Sequence, residues 1–134
     1  MFAHFVEAQD PIYENVLAEL RAGRKTSHWM WFIFPQLRAL GRSPTAQKFG
    51  IETLDDAQKY LAHPLLGARL IECTMLVNAV ERRSVHDIFG EPDDMKFRSS
   101  MTLFAEADPH HAEFRRALAK YFDSNPDGLT LALL

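Results

Sequence analysis

Cysteine is nearly absent: Cys73 stands alone among 134 residues. No internal disulfide can form, and the chain suits a reducing compartment. Long apolar runs are missing too, since none approaches the roughly 18 residues that a membrane span needs. Met1 to Asp10 mixes apolar and acidic side chains, unlike a secretory leader. A cytoplasmic protein that spans no membrane is expected. The sequence has no G-x-G-x-x-G, Walker loop, G-x-S-x-G or H-E-x-x-H, which removes the commonest dinucleotide, P-loop, hydrolase and zinc-protease readings. His110-His111 and His86-Asp87 lack ligand spacing to a second cluster, so no metal and no cofactor is expected. No heptad or basic recognition helix argues for nucleic-acid readout. No stretch alternates convincingly with period two, and Phe32-Ile33-Phe34 is too short to stand as a strand.

What is present is an ordinary globular balance, 47% apolar and 25% charged. The length predicts one domain over residues 1–134, large enough to fold around its own core. Fifteen aromatic residues exclude a disordered chain. The net charge of −3 hides an asymmetry. From Leu20 to Ile51 there is no Asp or Glu, while Arg21, Arg24, Lys25, Arg38, Arg42 and Lys48 give that window +6, leaving −9 for the remainder. A basic stretch in an acidic protein favours local attraction of an anion. The plainer reading is solvated or paired surface charge.

Helix signals dominate. Asp10-Pro11 reads as a cap followed by proline, with Ile12, Val16, Leu17 and Leu20 at helical spacing and Gly23 as the stop. Thr26 or Ser27 is expected to cap a short helix ending before Pro35. Residues 38–50 look irregular. Thr53-Leu54-Asp55-Asp56 opens a helix to about Ala62. Pro64 to about Arg82 is expected to be the longest and central helix, because Leu66, Leu70, Cys73, Val77 and Val80 form one apolar stripe. Ser84 to Asp87 caps a short turn ended by Gly90. Pro92 opens a helix bearing Phe97, Met101 and Phe104, and Asp108-Pro109 opens the last long one. The prediction is a compact all-α bundle of about six to eight helices. The tail from Leu129 to Leu134 is too apolar to hang in water, so it should pack on the core or on a second copy of the chain.

Three segments carry candidate chemistry. The first, Gly23 to Gln36, gathers Lys25, Thr26, Ser27, His28, Trp29, Trp31 and Gln36. Two tryptophans two residues apart diverge by about 200° on a helix, so both cannot face one core. One indole is then free to stack on a flat or cationic group. His28 beside a helix start is placed to carry a proton or meet an anion. In the second segment, Asp93, Lys96 and Ser100 share a helix face, with Ser99 adjacent. Lys96 would hold a phosphate or carboxylate, and Asp93 would orient it or act as a base. In the third, His63-Pro64-Leu65-Leu66-Gly67-Ala68-Arg69-Leu70, Arg69 interrupts an apolar run. Arg69 is expected to pair with an acid or bind an anion, the ion pair being the commoner outcome. Each segment also has a plain structural reading: an aromatic core with a capping histidine, a capping aspartate with an i,i+3 ion pair, and a helix-packing glycine. Cys73 lies on the apolar stripe, as a buried and inert thiol would.

Together these segments resemble an uncharacterised bacterial family, domain of unknown function 1810, whose members often carry a calpastatin label. The resemblance rests on Lys25-Thr26-Ser27-His28-Trp29-Met30-Trp31-Phe32 with Pro35-Gln36, on His63-Pro64-Leu66-Gly67-Arg69-Leu70, on Asp93-Lys96-Ser99-Ser100-Thr102-Leu103-Phe104, and on Asp127-Thr130-Leu131. It spans nearly the whole chain in order. It implies a compact all-α domain and supplies no activity or catalytic residues. The calpastatin label finds no support, because an inhibitor that wraps a protease as a disordered segment is polar and poor in aromatics. Helical N-glycosidases acting on ADP-ribose derivatives share only the order and type of these features, which assigns no reaction.

The expected function is therefore binding of a small anionic or nucleotide-like metabolite, with hydrolysis as an added step. His28 and Asp93 would move protons, and Lys25, Trp29, Trp31, Gln36, Arg69, Lys96, Ser99 and Ser100 would bind. The alternative is a non-catalytic protein-interaction module that uses its apolar tail for homo- or hetero-oligomerisation.

Overall fold

The computed structural model describes residues 1–134 and is helical throughout. In chain order the helices are α1 (Ala3–Gln9), α2 (Tyr13–Arg21), α3 (Met30–Ile33), α4 (Pro44–Lys48), α5 (Leu54–Ala62), α6 (Leu66–Ala79), α7 (Val85–Phe89), α8 (Asp93–Ala107), α9 (Ala112–Phe122) and α10 (Gly128–Leu133). A 3-10 turn covers Arg38–Leu40. The only β-type pairing is an isolated parallel bridge between Leu37 and Ile51.

Several helix ends follow their sequence signals. Thr53 accepts the Asp56 backbone N–H at the start of α5. Ser84 and Asp87 form a reciprocal capping box on α7. Gly23 and Gly90 both adopt a φ of +72°, the left-handed region that glycine enters without a Cβ penalty. Gly23 also sits under Arg83, whose guanidinium donates to the Gly23 carbonyl at 2.8 Å.

Other signals mislead. Asp10 and Asp108 do not cap: α2 starts after Ile12 and α9 after His111. Asp10 is drawn instead into an ion pair with Arg69. Thr26 and Ser27 do not cap α3, which begins after Trp29; their N–H groups go to Glu19. The expected six to eight helices become ten because α1, α4 and α10 are short elements inside segments that look irregular or terminal. Ser43 followed by Pro44 starts α4 with its hydroxyl accepting from Ala46, a cap followed by proline. The helix expected from Pro64 to about Arg82 is shorter, Leu66–Ala79. Arg82 and Arg83 lie beyond its end, and Arg83 serves Gly23 and Asp87 rather than the α6 carboxyl end.

Twenty-nine buried apolar residues form one core. The stripe on α6 is in it, with Leu66, Leu70, Cys73 and Val77 buried and Val80 half-buried. Burying each of these aliphatic side chains contributes about 1.5–3 kcal/mol. The longest helix, however, is α8, at 15 residues against 14 for α6, and it buries ten residues against six. It packs against α9, α5, α7 and α10. Its Phe97 ring lies 4.8 Å from Phe89 and 5.0 Å from Phe34, centroid to centroid. Ser99, Ser100 and Thr102 are buried as well, so the polar surface of α8 is confined to its first two turns and Glu106. The hydroxyls of Ser99 and Thr102 donate to carbonyls one turn back. Close packing also explains Gly67: a Cβ there would lie 2.0 Å from the Leu61 carbonyl oxygen.

Candidate functional site

The chain between α2 and α3 is shaped by one carboxylate. Glu19, near the end of α2, accepts hydrogen bonds from the backbone N–H groups of Thr26 (2.6 Å) and Ser27 (3.0 Å), from the Ser27 hydroxyl (2.8 Å) and from the Trp29 indole N–H (3.1 Å). Partial burial works against its charge, but these donors outweigh burial and hold its carboxyl below the usual glutamate range. The clamp folds residues 24–29 back over α2. The Lys25 N–H then meets the Ile88 carbonyl at 2.7 Å at the end of α7.

Lys25 is thereby aimed at the first turn of α8. Its ammonium lies 2.8 Å from Asp93 Oδ2, while Lys96 Nζ lies 3.7 Å from Asp93 Oδ1. All three groups are largely covered, with side-chain exposures of 8%, 18% and 24% for Lys25, Asp93 and Lys96. Each ammonium also sits over an indole: Lys25 is 5.1 Å from the Trp29 ring centroid and Lys96 is 4.7 Å from that of Trp31. Such cation–π contacts contribute about 0.5–2 kcal/mol each. Two cations share one carboxylate, so the cluster keeps one positive charge in a setting where water screens it poorly.

The structure thus brings together Lys25, Trp29, Trp31, Asp93 and Lys96. The two tryptophans part company as their spacing requires. Trp29 is buried in the core and Trp31 is half-buried with its face under Lys96. His28 is exposed and enters no side-chain hydrogen bond or ion pair. Gln36 uses its carbonyl to receive Ile51 N–H at 2.9 Å. Ser99 donates to Asp127 at 3.2 Å and belongs to the anchor of α10. Ser100 is fully buried, and its hydroxyl has no partner. Arg69 lies apart from the lysines, 2.9 Å from Asp10, 3.3 Å from the Gln9 side-chain oxygen and 4.5 Å from the Tyr13 ring centroid. It is the expected ion pair. Lys25, Trp31, Asp93 and Lys96 line none of the five principal clefts of the surface.

Sequence reading misses Glu19 and the buried network around Gln9. Glu19 is the last acid before the long acid-free window, and that position is the signal it offers. Gln9 donates to the Phe32 carbonyl at 2.7 Å and to the Tyr60 hydroxyl at 3.2 Å. The Tyr13 hydroxyl donates to Glu72 at 2.5 Å. Burial first, then Cys73 and Glu72 beside it, push the Tyr13 hydroxyl far above its ordinary value. Burial pushes the Cys73 thiol up to about 12, so this cysteine is not a nucleophile at neutral pH. No group of three or more His, Cys, Asp or Glu side chains is placed to hold a metal ion, and no helix is long and apolar enough to cross a membrane.

Comparison with known proteins agrees with this architecture. The model of the family described as "Protein of unknown function (DUF1810)" matches residues 1–134. The chain is similar to the crystal structure of the conserved hypothetical protein Rv1873 from Mycobacterium tuberculosis. The two are 57% identical, with 99% of this chain and 95% of that chain covered and a TM-score of 0.98. No curated protein matches the chain.

Proposed function

The chain belongs to the DUF1810 family, whose description names no activity, and from its side chains we propose that it binds a small anionic, nucleotide-like metabolite at Lys25, Lys96 and Trp31. The observation that carries the reading is the sharing of Asp93 by two ammonium groups at 2.8 and 3.7 Å. Lys25 is closely paired. Lys96 is held loosely, so its charge is the one available to a phosphate or carboxylate. Trp31 is half-exposed, and the part of its indole that Lys96 leaves uncovered gives a flat ring a surface to stack on. Both oxygens of Asp93 face lysines, so its part is to hold them in place. A hydrolytic step would draw its proton carrier from the exposed His28. The single free thiol suits a reducing compartment, so a cytoplasmic metabolite is the expected ligand.

The test is a thermal-shift and calorimetric comparison with ADP and inorganic pyrophosphate. Wild type should gain several degrees in Tm at saturating ligand. Lys96→Met keeps the apolar stem, and should lose that gain while its ligand-free Tm stays close to wild type. A large ligand-free drop in Tm with binding intact would leave Lys96 as a structural ion pair and end the proposal.

A second reading rests on α10 and the residue after it, where Leu129, Leu131, Leu133 and Leu134 are all exposed. A second copy of the chain covering them would make a dimer that dissociates on dilution and is lost in Leu131→Lys/Leu133→Lys. A wild type that sediments as a monomer at every concentration overturns it.

A further inference from the structure

We propose that the cleft between α1 and the Arg38–Ile51 region is a second binding site, which takes a small zwitterion: a free α-amino acid. The cleft has a volume of about 200 Å³. That is below the roughly 300–1,000 Å³ of sites for drug-sized ligands, and it suits a ligand on the order of ten non-hydrogen atoms. Phe5 and Ile51 give it an apolar floor, and Arg38, Asp56 and Glu52 give it charged walls of both signs.

Two opposite charges, Arg38 and Asp56, line the cleft and do not meet. The Arg38 guanidinium offers five N–H donors. Its Nη1 reaches Glu52 at 3.6 Å, its Nη2 reaches the Gly50 carbonyl at 3.5 Å, and its Nε is buried with no partner. These are long contacts for a group that makes bidentate bonds of about 2.7–2.9 Å to carboxylates. The side chain is 42% exposed, so its outer edge is accessible. Asp56 is half-buried, and its carboxylate enters no hydrogen bond or ion pair, with Arg38 or any other residue. A ligand with a carboxylate at one end and an ammonium at the other would satisfy both walls. A simple anion would meet repulsion from Asp56 and Glu52, and a simple cation would meet repulsion from Arg38.

The wall that carries Arg38 is fixed before any ligand arrives. Arg38 N–H donates to the Ile51 carbonyl at 2.8 Å, and Ile51 N–H donates to the Gln36 carbonyl at 2.9 Å. Gly50 lies so close that a Cβ there would be 2.4 Å from Arg38 Cα. The backbone of this wall therefore loses little freedom on binding. On the opposite side the His4 ring stacks on Phe49, with centroids 5.6 Å apart and planes 19° apart. This site shares no residue with the Lys25–Asp93–Lys96 cluster, so the two proposals stand or fall separately.

The experiment is an NMR titration of the full chain with each of the twenty L-amino acids, with acetate and methylammonium as single-charge controls. At least one amino acid should shift the Arg38, Gly50 and Ile51 amides saturably at or below about 10 mM, while neither control does so. Arg38→Gln and Asp56→Asn should each weaken that binding about tenfold or more. Asp56→Asn keeps the Thr53 cap on its backbone, so its Tm should hardly move and its loss of binding cannot be laid to unfolding. Saturable shifts with acetate at equal affinity would reduce the site to a carboxylate contact and overturn the proposal. So would the absence of saturable shifts with all twenty amino acids, or full affinity in Asp56→Asn.

Discussion

The indole N–H of Trp29 donates to the carboxylate of Glu19 at 3.1 Å, so a buried ring and a charged helix end fix one another. Three further donors from Thr26 and Ser27 converge on the same carboxylate. Glu19→Ala should therefore leave a buried indole N–H unpaired and cost about 1–3 kcal/mol. Chemical denaturation would show the loss of stability, and Trp29 fluorescence should shift as its environment loosens.

The same contact has a pH signature. The Glu19 carboxyl is held below its ordinary value of 4.5 in the folded state. Its contribution is thus fully present above 4.5 and is lost as pH falls through the lowered folded value. Wild type should lose stability over that acid range, and Glu19→Gln, with nothing to titrate there, should lose less over the same range. Parallel urea unfolding curves at descending pH test this. Equal slopes for both proteins would count against the clamp as the source.

Asp93→Asn separates structure from binding. Removing the shared negative charge leaves two poorly solvated ammonium groups facing one another, which should cost about 2–3 kcal/mol. It also raises the cluster from one net positive charge to two. Inorganic phosphate or pyrophosphate should stabilise this variant more than it stabilises wild type, and added salt should erase the difference. Thermal melts with and without phosphate at two ionic strengths give the comparison.

Gly67→Ala tests the close approach of α5 to α6. The new methyl would press on the Leu61 backbone carbonyl, which lies 2.0 Å from the ideal Cβ position, and a backbone atom cannot rotate away. A loss of about 3 kcal/mol or more is expected. A melting temperature equal to wild type would mean that the two helices slide freely.

Cys73 should be silent to thiol reagents in the folded protein. Burial pushes its thiol up to about 12, so almost no thiolate exists at mildly alkaline pH. One thiol per chain should react once the protein is unfolded in denaturant. Rapid labelling of the native protein would contradict its burial.

Much of the architecture is legible in the sequence where local chemistry decides the outcome. The α6 stripe, the Thr53 and Ser84 caps and the Gly23 and Gly90 stops all act within a turn or two of themselves. The misses are tertiary. Asp10 has the look of a cap, yet Arg69 from 59 residues away takes its carboxylate. Ser99 and Ser100 have the look of a polar helix face, yet α8 is covered on nearly all sides and spends those hydroxyls inside. Charge and aromatic content mark the two halves of the lysine cluster in the sequence. Nothing local could reveal that Lys25 and Lys96 would share one carboxylate, because the Glu19 clamp and the Ile88 carbonyl set that geometry. In the sequence Arg38 is one of several basic residues and Asp56 one of a helix-opening pair, and only the cleft makes them partners.

The last helix is fastened in a different way from the rest of the core. Asp127 accepts from the Thr130 N–H and hydroxyl and from Ser99, and its own N–H goes to Thr102. Arg98 donates to the carbonyls of Asn125 and Pro126. Thr130 alone on α10 is buried. This tail is latched by directional polar bonds, with little apolar surface sealing it, and a latch opens as a unit. Its amides should exchange with deuterium well ahead of those of α8, through an opening that leaves the core intact. A protease should meet the C-terminal segment before any other part of the chain. Asp127→Asn, which weakens the latch at its centre, should speed both processes while leaving the exchange of α6 unchanged.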